Sequence, residues 1–365
     1  MRIPVALYPY CPELLPFVRH FEKMQDSYAL KRLVSPSGFA LTGKDAAYAC
    51  NHSNIGVVVT DDLGLNEETW DTLLVTRSRD IELNDEEELL ATTVENALCA
   101  GKTVLFFEKS LADIPSKLLE IKNLYSDKLH FHTGDMYSLK SGIPFMRYLN
   151  MNAPVILVGG LFAEADTLEV LIHFAERLRA EKLCPAVLTR HPIGNLFGFH
   201  SIGHILDDTS ITEAEKIARL NYIAKDIELS EGANVLLMEA PDAVMRYNDM
   251  APNGFGIQTY MLCNAIPPDD FICCVPFSFG VGEVLDSIDE KLSGSLGTRI
   301  TAVHLSNLLI DSVGLMQSNI LSYSRADLKA VCEQIANENA KSKVPLFDVV
   351  QNGIDGVFEL CINEQ

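Results

Sequence analysis

Apolar and polar residues follow one another in blocks along this chain, and the blocks repeat as strand, turn and helix. The clearest unit starts at Pro154. An apolar run at 155–158 passes through Gly159 and Gly160 into apolar positions at helical spacing, and a second apolar run follows at 185–188. Parallel strands need a long crossover connection, so this pattern predicts a βαβ unit with a right-handed crossover.

Two α/β domains are predicted, each a doubly wound sheet. Strand and helix patterns alternate on both sides of the stretch 133–151, which has no clear periodicity and contains two glycines and a proline. A chain of 365 residues is also long enough for two cores. We therefore expect a Rossmann-like domain at 1–150 and a second α/β domain at 151–365.

Four finer predictions concern single elements. The pattern predicts a strand at 55–60, a helix at 324–340 and a last strand at 356–362. Thr212 with Glu215 three residues later is a capping box, which predicts the start of a long helix.

The turn after the first strand of the second domain is predicted to be a degenerate phosphate loop. Such turns bind phosphate because glycines permit close approach and a helix N-terminus offers N–H groups. Aligned with GxxxxGK[ST], residues 160–167 keep Gly160 and Thr167, but Ala165 replaces the second glycine and Asp166 replaces the lysine. Negative charge there repels an anion. We therefore expect a turn that packs helix on strand more than one that binds nucleotide.

Polar residues at predicted strand ends are the candidates for chemistry. Glu239 follows the apolar run 235–238, where a carboxylate can hold magnesium or act as a general base. His200 lies in a glycine-containing loop and can serve as an acid–base group, with simple packing as the alternative. These two are the predicted catalytic residues. The predicted ligand-binding residues lie near the same cleft or on permissive backbone: Gly159, Gly160, Thr167, Arg190, Arg246, Asn253, Gly254 and Gly256.

Composition excludes several classes of function. The net charge of -21, from 50 acidic and 29 basic residues, argues against a nucleic-acid or anionic-membrane surface. Neither a membrane-length apolar run nor a secretory signal is visible, so we expect a cytoplasmic protein. Nine scattered cysteines without a CxxC pair indicate reduced thiols, and no metal site is predicted. Without GxGxxG after the first strand, no dinucleotide is expected, and no cofactor is assigned.

Three stretches carry a resemblance to a known family. They are RIPVALYPYCPELLPFVRHF near the N-terminus, VILVGGLFAEADTLEV followed by LFGFHS in the centre, and NGFGIQTY further on. Together they resemble the uncharacterised peptide maturation system proteins of clostridial gene clusters for cysteine-rich ribosomal peptides. The resemblance implies a precursor peptide or a modifying enzyme as partner. The family's central turn commonly carries a lysine, from which Asp166 departs.

A more distant similarity is one of layout. A Rossmann-like domain followed by a phosphate-loop domain is similar to the two-domain family that includes D-glutamate N-acetyltransferases. Layout alone does not establish function.

Three functions follow as hypotheses. The first is an accessory enzyme of peptide maturation, and the second is a non-catalytic binding module on the same scaffold. The third is a small-molecule enzyme such as an acyltransferase. The preferred hypothesis is an accessory protein that binds a precursor peptide or partner enzyme through the cleft of the second domain. The alternative is a nucleotide- or acyl-CoA-dependent ligase or acyltransferase acting on a peptide or amino acid. A homodimer is compatible with either.

Overall fold

A computed structural model describes residues 2–36, 38–77, 86–136, 148–162, 164–278, 280–318 and 321–363. The chain divides into two compact units. The first unit consists of Met1–Ser138 and His191–His204, and the second consists of Leu139–Arg190 and Ile205–Gln365. Each is an α/β unit built on parallel strands, which confirms the predicted fold class of two doubly wound domains. The predicted boundary between residues 150 and 151 stays a prediction. One boundary cannot describe this division, because residues 191–204 belong to the first unit.

The first unit contains a six-stranded parallel sheet in the order β3-β2-β1-β4-β5-β6. Its elements in chain order are β1 Ile3–Tyr8, α1 Leu15–Met24, β2 Tyr28–Val34, β3 Val59–Thr60, β4 Thr72–Thr76, α2 Glu86–Cys99, β5 Thr103–Glu108, α3 Ser116–Leu124 and β6 Leu129–Thr133. The strand order reverses between β1 and β4, which makes this the doubly wound arrangement of a Rossmann-like sheet.

Two groups of side chains build the core of the first unit. Val94 of α2 and Leu118 of α3 join Phe106 of β5 in one fully buried apolar cluster. The rings of Phe17 and Phe21 on α1 pack elsewhere, against Phe197 of the segment 191–204, with centroids 4.9 and 5.6 Å apart. The first unit is therefore completed by residues that lie far along the chain.

Further strands and α-helices follow in the described residues from 148 onward. In chain order they are β7 Val155–Gly160, α4 Thr167–Ala180, β8 Pro185–Thr189, β9 His200–Ser201, α5 Gly203–Leu206, α6 Glu213–Glu231, β10 Val235–Glu239, α7 Ile257–Ala265, β11 Asp270–Val275, α8 Val281–Leu296, β12 Ile300–Leu305, β13 Leu308–Ile310, α9 Ser312–Ser318, β14 Tyr323–Arg325, α10 Leu328–Asn339, β15 Leu346–Phe347, α11 Val349–Asn352 and α12 Asp355–Asn363. Strands of the second unit lie in the order β15-β12-β11-β7-β10-β8, all parallel.

This strand order positions the candidate site. The strand β7 lies between β11 and β10, so the turn after β7 is flanked by the ends of both neighbours. Because parallel strands end at one edge of a sheet, loops that follow β7, β10, β11 and β12 start at that same edge. The predicted βαβ unit is confirmed by β7, α4 and β8, with β10 lying between its two strands.

Most predicted elements are confirmed, and three are wrong in type or extent. The C-terminal stretch predicted as a strand is the helix α12, and its buried residues Val357, Phe358 and Cys361 follow a helical spacing. Only Val59–Thr60 of the predicted strand at 55–60 is a strand. The predicted helix at 324–340 begins at Leu328, after the short strand β14.

The predicted start of the long helix is confirmed. Thr212 is the N-cap of α6, and its Oγ1 accepts a hydrogen bond from the backbone N–H of Glu215 at 3.3 Å. Within the described part of the chain, none of the helices has the length and apolar character that a membrane crossing requires.

Candidate functional site

The turn between β7 and α4 closes on itself. The backbone N–H of Leu161 donates to the carbonyl of Cys274 at 3.0 Å, and that of Ala165 donates to the carbonyl of Phe162 at 3.1 Å. The side chains of Phe162 and Ala165 are fully buried. Two N–H groups that a phosphate loop would direct at its ligand are therefore hydrogen-bonded within the protein.

Two predicted ligand-binding glycines are required by packing. A Cβ atom at Gly159 would lie 2.6 Å from Cγ1 of Val244 and 2.8 Å from Cβ of Ala240. At Gly160 it would lie 2.4 Å from the carbonyl oxygen of Phe162. No larger residue fits either position without a shift of the backbone. This close packing accounts for both glycines without a ligand.

Asp166 occupies the position of the phosphate-binding lysine and is held by Ser306, which directly follows β12, and by Arg325 of β14. Its Oδ2 accepts a hydrogen bond from Ser306, and its Oδ1 lies 3.5 Å from Nη1 of Arg325. The same guanidinium donates to Oδ1 of Asn307 at 3.0 Å. The φ of Asp166 is +60°, a left-handed conformation that Asp adopts more readily than most residues. The predicted negative charge is thus present, and an arginine of the same unit compensates it.

His304 also faces this carboxylate. Its Nδ1 accepts a hydrogen bond from the backbone N–H of Val349 at 3.3 Å, which in the neutral ring places the proton on Nε2. That Nε2 is 3.6 Å from Oδ2 of Asp166, and the ring is fully buried. Asp166 therefore lies among a hydroxyl, a guanidinium and an imidazole.

Cys274 near the end of β11 is a fully buried thiol that is affected by the two acidic side chains of this edge. Burial raises the pKa of its thiol well above the ordinary value, and the charges of Cys273, Asp166 and Glu239 raise it further. The reactive form of cysteine is the thiolate. Cys274 consequently stays a protonated, unreactive thiol near neutral pH.

Glu239, a predicted catalytic residue, is buried at the end of β10. It accepts a hydrogen bond from the hydroxyl of Thr189 at the end of β8. The neighbouring Arg190 donates to the backbone carbonyl of Pro241. The structure therefore brings these two predicted residues to adjacent strand ends. Thr167 is buried at the first position of α4.

Arg246 lies on the surface of the second unit. Its side chain is about half exposed, and Nη1 is 2.9 Å from Oδ1 of Asp249. An exposed pair of this kind contributes little to stability because water and salt screen it. A guanidinium so placed is open to solvent, and a carboxylate beside it reduces its attraction for an anion.

Residues 253–256 form one turn of left-handed backbone before α7. The φ values of Asn253, Gly254, Phe255 and Gly256 are +48°, +61°, +59° and +71°. Left-handed backbone costs most non-glycine residues about 1–2 kcal/mol; Asn tolerates it, so Phe255 is the strained residue of this turn. Nδ2 of Asn253 donates to the carbonyl of Leu161 at 3.0 Å, which joins this turn to the one after β7.

The two glycines of this left-handed turn are also required sterically. A Cβ atom at Gly256 would lie 2.4 Å from the carbonyl oxygen of Val244, and one at Gly254 would lie 2.8 Å from Oδ2 of Asp242. The turn is thus fixed at both glycines by its neighbours. The three predicted residues Asn253, Gly254 and Gly256 are brought together next to the turn after β7.

His200, the other predicted catalytic residue, belongs to the first unit. It lies in β9, within the segment His191–His204, and its side chain is half-buried. The other nine predicted site residues belong to the second unit. Its role in catalysis stays a prediction.

Sequence reasoning missed the residues that hold Asp166. The apolar strand β12 is followed directly by Ser306 and Asn307, the same pattern of polar residues after a strand that pointed to Glu239. Thr189 follows the same rule at the end of β8. For Arg325 no signal exists, because it comes from a short hairpin strand whose partner is β13.

The first unit carries its own buried carboxyl group at a strand end. Glu108 is the last residue of β5; Oε1 accepts a hydrogen bond from the N–H of Lys109 at 2.8 Å, and Oε2 is 3.6 Å from Nη1 of Arg77. Burial raises the pKa of Glu108, although the Lys109 amide and the Arg77 charge oppose this. Part of the Glu108 population is therefore protonated at a pH at which exposed glutamates are charged.

Comparisons with known proteins bear on the fold. No protein-family model matches the chain, and no curated protein sequence does. The structure is similar to the crystal structure of a DUF1611 family protein from Anabaena variabilis, at a TM-score of 0.65 and 13% sequence identity, over 99% of this chain and 100% of that one. Chloroplast FtsY from Physcomitrella patens gives a TM-score of 0.34 and 12% identity, over 78% of this chain and 91% of that one. A TM-score this low does not show a shared fold.

At 13% identity, the likeness to the DUF1611 family protein shows the fold alone. It extends over the whole chain and fits the two-domain layout that the sequence predicts. None of these comparisons supports the resemblance to clostridial peptide maturation proteins, which stays a prediction. The chain thus shares a two-unit α/β architecture with a DUF1611 family protein.

Proposed function

We propose that this chain is an accessory binding protein of ribosomal peptide maturation. In this proposal the second unit is a degenerate phosphate-loop domain that holds a precursor peptide or a partner enzyme at the carboxyl edge of its strands. One observation carries the proposal: Asp166, in the position of the phosphate-binding lysine, is fixed by Ser306 and Arg325. This arrangement supports an edge that binds something other than a nucleotide, because a paired aspartate occupies the place of the phosphate-binding lysine.

The electrostatic cost of placing a phosphate beside Asp166 favours a peptide- or protein-binding role over nucleotide binding. A phosphate placed about 4 Å from a carboxylate is repelled by roughly 4 kcal/mol per pair of unit charges at an effective dielectric constant near 20. Arg325, which could offset that repulsion, already contacts Asp166 and Asn307. The N–H groups of Leu161 and Ala165 are hydrogen-bonded within the protein as well. A nucleotide would need to break these contacts before it gained any of its own.

The peptide assignment is supported by the sequence. The resemblance of three stretches to peptide maturation proteins names the kind of partner. The left-handed turn at 253–256 belongs to one of those stretches, NGFGIQTY, and lies next to the turn after β7. Loops at the carboxyl ends of parallel strands are the usual binding region of such sheets.

A thermal-shift experiment on the purified chain tests the proposal. The ligands are ATP, GTP and acetyl-CoA, each with magnesium, and a candidate precursor peptide. A ligand at a hundred times its dissociation constant stabilises the native state by about 2.7 kcal/mol, which is readily measured. We expect a shift with the peptide and none with the nucleotides or acetyl-CoA. A shift with a nucleotide alone contradicts the proposal.

A second candidate function rests on Glu239. This buried carboxylate ends β10, the strand that pairs directly with β7, and a carboxylate at that place can hold magnesium beside a bound nucleotide. It favours a nucleotide- or acyl-CoA-dependent ligase or acyltransferase, with Glu239 in a catalytic role. A ligand-induced shift with ATP or acetyl-CoA that is lost in Glu239→Gln and in Arg190→Ala supports this candidate. A shift unaffected by both variants removes it.

A further inference from the structure

Exposed apolar side chains gather beside the turn after β7, and we call this set the aromatic rim: Tyr247, Met250, Phe255, Ile257, Tyr260 and Tyr323. The buried ring of Phe162 connects it to the turn, with its centroid 4.7 Å from that of Tyr247 and 6.1 Å from that of Tyr323. Ile257 and Tyr260 are one helical turn apart at the start of α7, which begins two residues after Phe255. A patch of this composition is typical of a protein interface.

Phe255 combines strain with exposure. Its backbone is left-handed, and 62% of the residue is exposed, so its ring gains little from packing. Asn253 donates a hydrogen bond to the carbonyl of Leu161, and Gly256 lies so close to the carbonyl oxygen of Val244 that a Cβ atom there would be 2.4 Å from it. A glycine would adopt this backbone without strain. A strained residue that contributes little to the core indicates that its side chain serves binding.

Exposed acidic residues lie on three of the segments around the aromatic rim. Asp249, whose side chain is almost fully exposed, lies next to Met250 and pairs with Arg246. Asp311 is exposed and lies beside Tyr323, since its N–H donates to the carbonyl of Ser322 at 3.0 Å. Glu164 is exposed on the turn after β7. With a net charge of -21 on the chain, complementarity favours a basic partner and disfavours a second copy of this chain.

We propose that the aromatic rim binds a peptide segment in which apolar or aromatic side chains alternate with lysine or arginine, and that Phe255 is its anchor. This inference rests on the proposed function and gives the peptide a chemistry. Apolar side chains of the peptide contact the rings of Phe255, Tyr247 and Tyr260. Basic side chains lie near Asp249, Asp311 and Glu164.

The test uses fluorescein-labelled synthetic peptides and the full-length chain. One peptide alternates Phe and Leu with Lys, a second replaces each Lys by Glu, and a third replaces each Phe and Leu by Ser. We expect fluorescence anisotropy to show binding of the first peptide and at least about tenfold weaker binding of the other two. Raising the salt from about 50 to 500 mM should weaken the first complex, because screening shortens the reach of its charges.

The decisive variant is Phe255→Gly. It removes the ring and the strain together, so the thermal midpoint should equal or exceed that of the wild type while affinity falls at least about tenfold. Tyr260→Ser is a second variant with the same expected loss of affinity. Leu229→Ala is the matched control, because Leu229 is an exposed apolar residue on α6, away from the aromatic rim, and should leave affinity unchanged.

The outcomes separate the two proposals. Unchanged affinity in Phe255→Gly and Tyr260→Ser overturns the inference and leaves the proposed function standing. Binding of the natural precursor peptide without binding of the alternating basic peptide overturns the stated chemistry only. If neither the precursor nor any synthetic peptide binds the wild type, the proposed function fails together with the inference.

Discussion

Asp166 decides what the turn after β7 can bind, and its surroundings predict how the chain responds when the missing lysine is restored. In Asp166→Lys a cationic side chain replaces the carboxylate whose Oδ1 is 3.5 Å from Nη1 of Arg325. Like charges then replace an ion pair, and we expect a loss of roughly 2–4 kcal/mol in the free energy of unfolding, measured by urea denaturation. ATP should still not bind.

Asp166→Asn is the matched control for that variant. Asn tolerates left-handed backbone and keeps an acceptor for the hydroxyl of Ser306, so the loss should be about 1 kcal/mol. Equal stability of the Lys variant and the wild type would show that Arg325 does not compensate Asp166. Binding of ATP by the Lys variant would argue for the enzymatic alternative.

Glu108 predicts a pH dependence of stability in the first unit. Because burial raises its pKa, the folded state binds this proton more tightly than the unfolded state. Its contribution is fully present below the unfolded pKa and is lost as pH rises through the higher folded pKa. In Glu108→Gln this loss cannot occur, so the variant should gain stability relative to the wild type as pH rises from 4 toward 7.

Urea denaturation of both proteins across that pH range measures the difference. The ion pair with Arg77 at 3.6 Å works against the effect, because it stabilises the charged carboxylate. Parallel stability curves for the two proteins would mean that this pair cancels the cost of burial. If Glu108→Gln instead loses stability relative to the wild type as pH rises, the pKa of Glu108 is lowered in the folded state and not raised.

At the scale of single residues, the sequence predicted where candidate site residues lie better than it predicted which side chains they contact. Glu239, Arg190 and Asn253 all lie at the predicted carboxyl edge of the second unit. The contacts of Asp166 could not be predicted, because Ser306 and Arg325 lie more than a hundred residues away in the chain. Local patterns contain no information on which distant side chain meets which carboxylate.

Among the elements, α1 and the segment 191–204 give a sharp packing prediction. Phe17 and Phe197 stack with ring centroids 4.9 Å apart, and both are buried. Phe17→Ala and Phe197→Ala should each cost about 3–5 kcal/mol in unfolding free energy. The double variant should cost less than their sum, with a coupling of about 0.5–1.5 kcal/mol, measured by urea denaturation.

Phe17→Ala combined with Leu105→Ala provides a control for that cycle, because Leu105 is a buried residue of β5 in the same unit. Additive losses are expected for that pair when the two side chains share no contact. Additive losses for Phe17 and Phe197 would instead show that the segment 191–204 does not stabilise α1.

Element types were predictable where a pattern was long, and ambiguous where it was short. The helix α6 extends over nineteen residues and has a capping threonine, and its start was predicted correctly. The C-terminal stretch has only a few apolar residues, which fit a strand as well as a helix. Its packing decides the matter, since Ile354, Val357, Phe358 and Cys361 are buried on one helical face.

The net charge of the whole molecule predicts a response to salt. Because the net charge is -21, repulsion between like charges destabilises the folded state, and salt screens this repulsion. We expect the thermal midpoint to rise by about 2 °C or more between low and physiological ionic strength, as measured by calorimetry. Choline chloride should raise the thermal midpoint as much as sodium chloride does, because screening depends on ionic strength and not on which cation is present. A midpoint that falls, or does not move, would show that local ion pairs outweigh the net charge.

The division into two units could be predicted only in part. Alternating strands and helices indicated two α/β domains, and both sheets are present. The return of residues 191–204 to the first unit is a feature of the chain's path and not of its local pattern. A hydrophobic segment such as Ile193–Phe199 reads the same in the sequence whichever core it enters.

That path has a consequence during synthesis on the ribosome. When residue 138 has emerged, Phe17 and Phe21 still lack Phe197, which is needed to cover them. Translation of residues 139–204 takes roughly 3–13 seconds at about 5–20 residues per second. For that time the nascent first unit presents an aromatic surface to its surroundings. Chaperone occupancy of stalled chains should therefore be high before residue 204 emerges and fall after it.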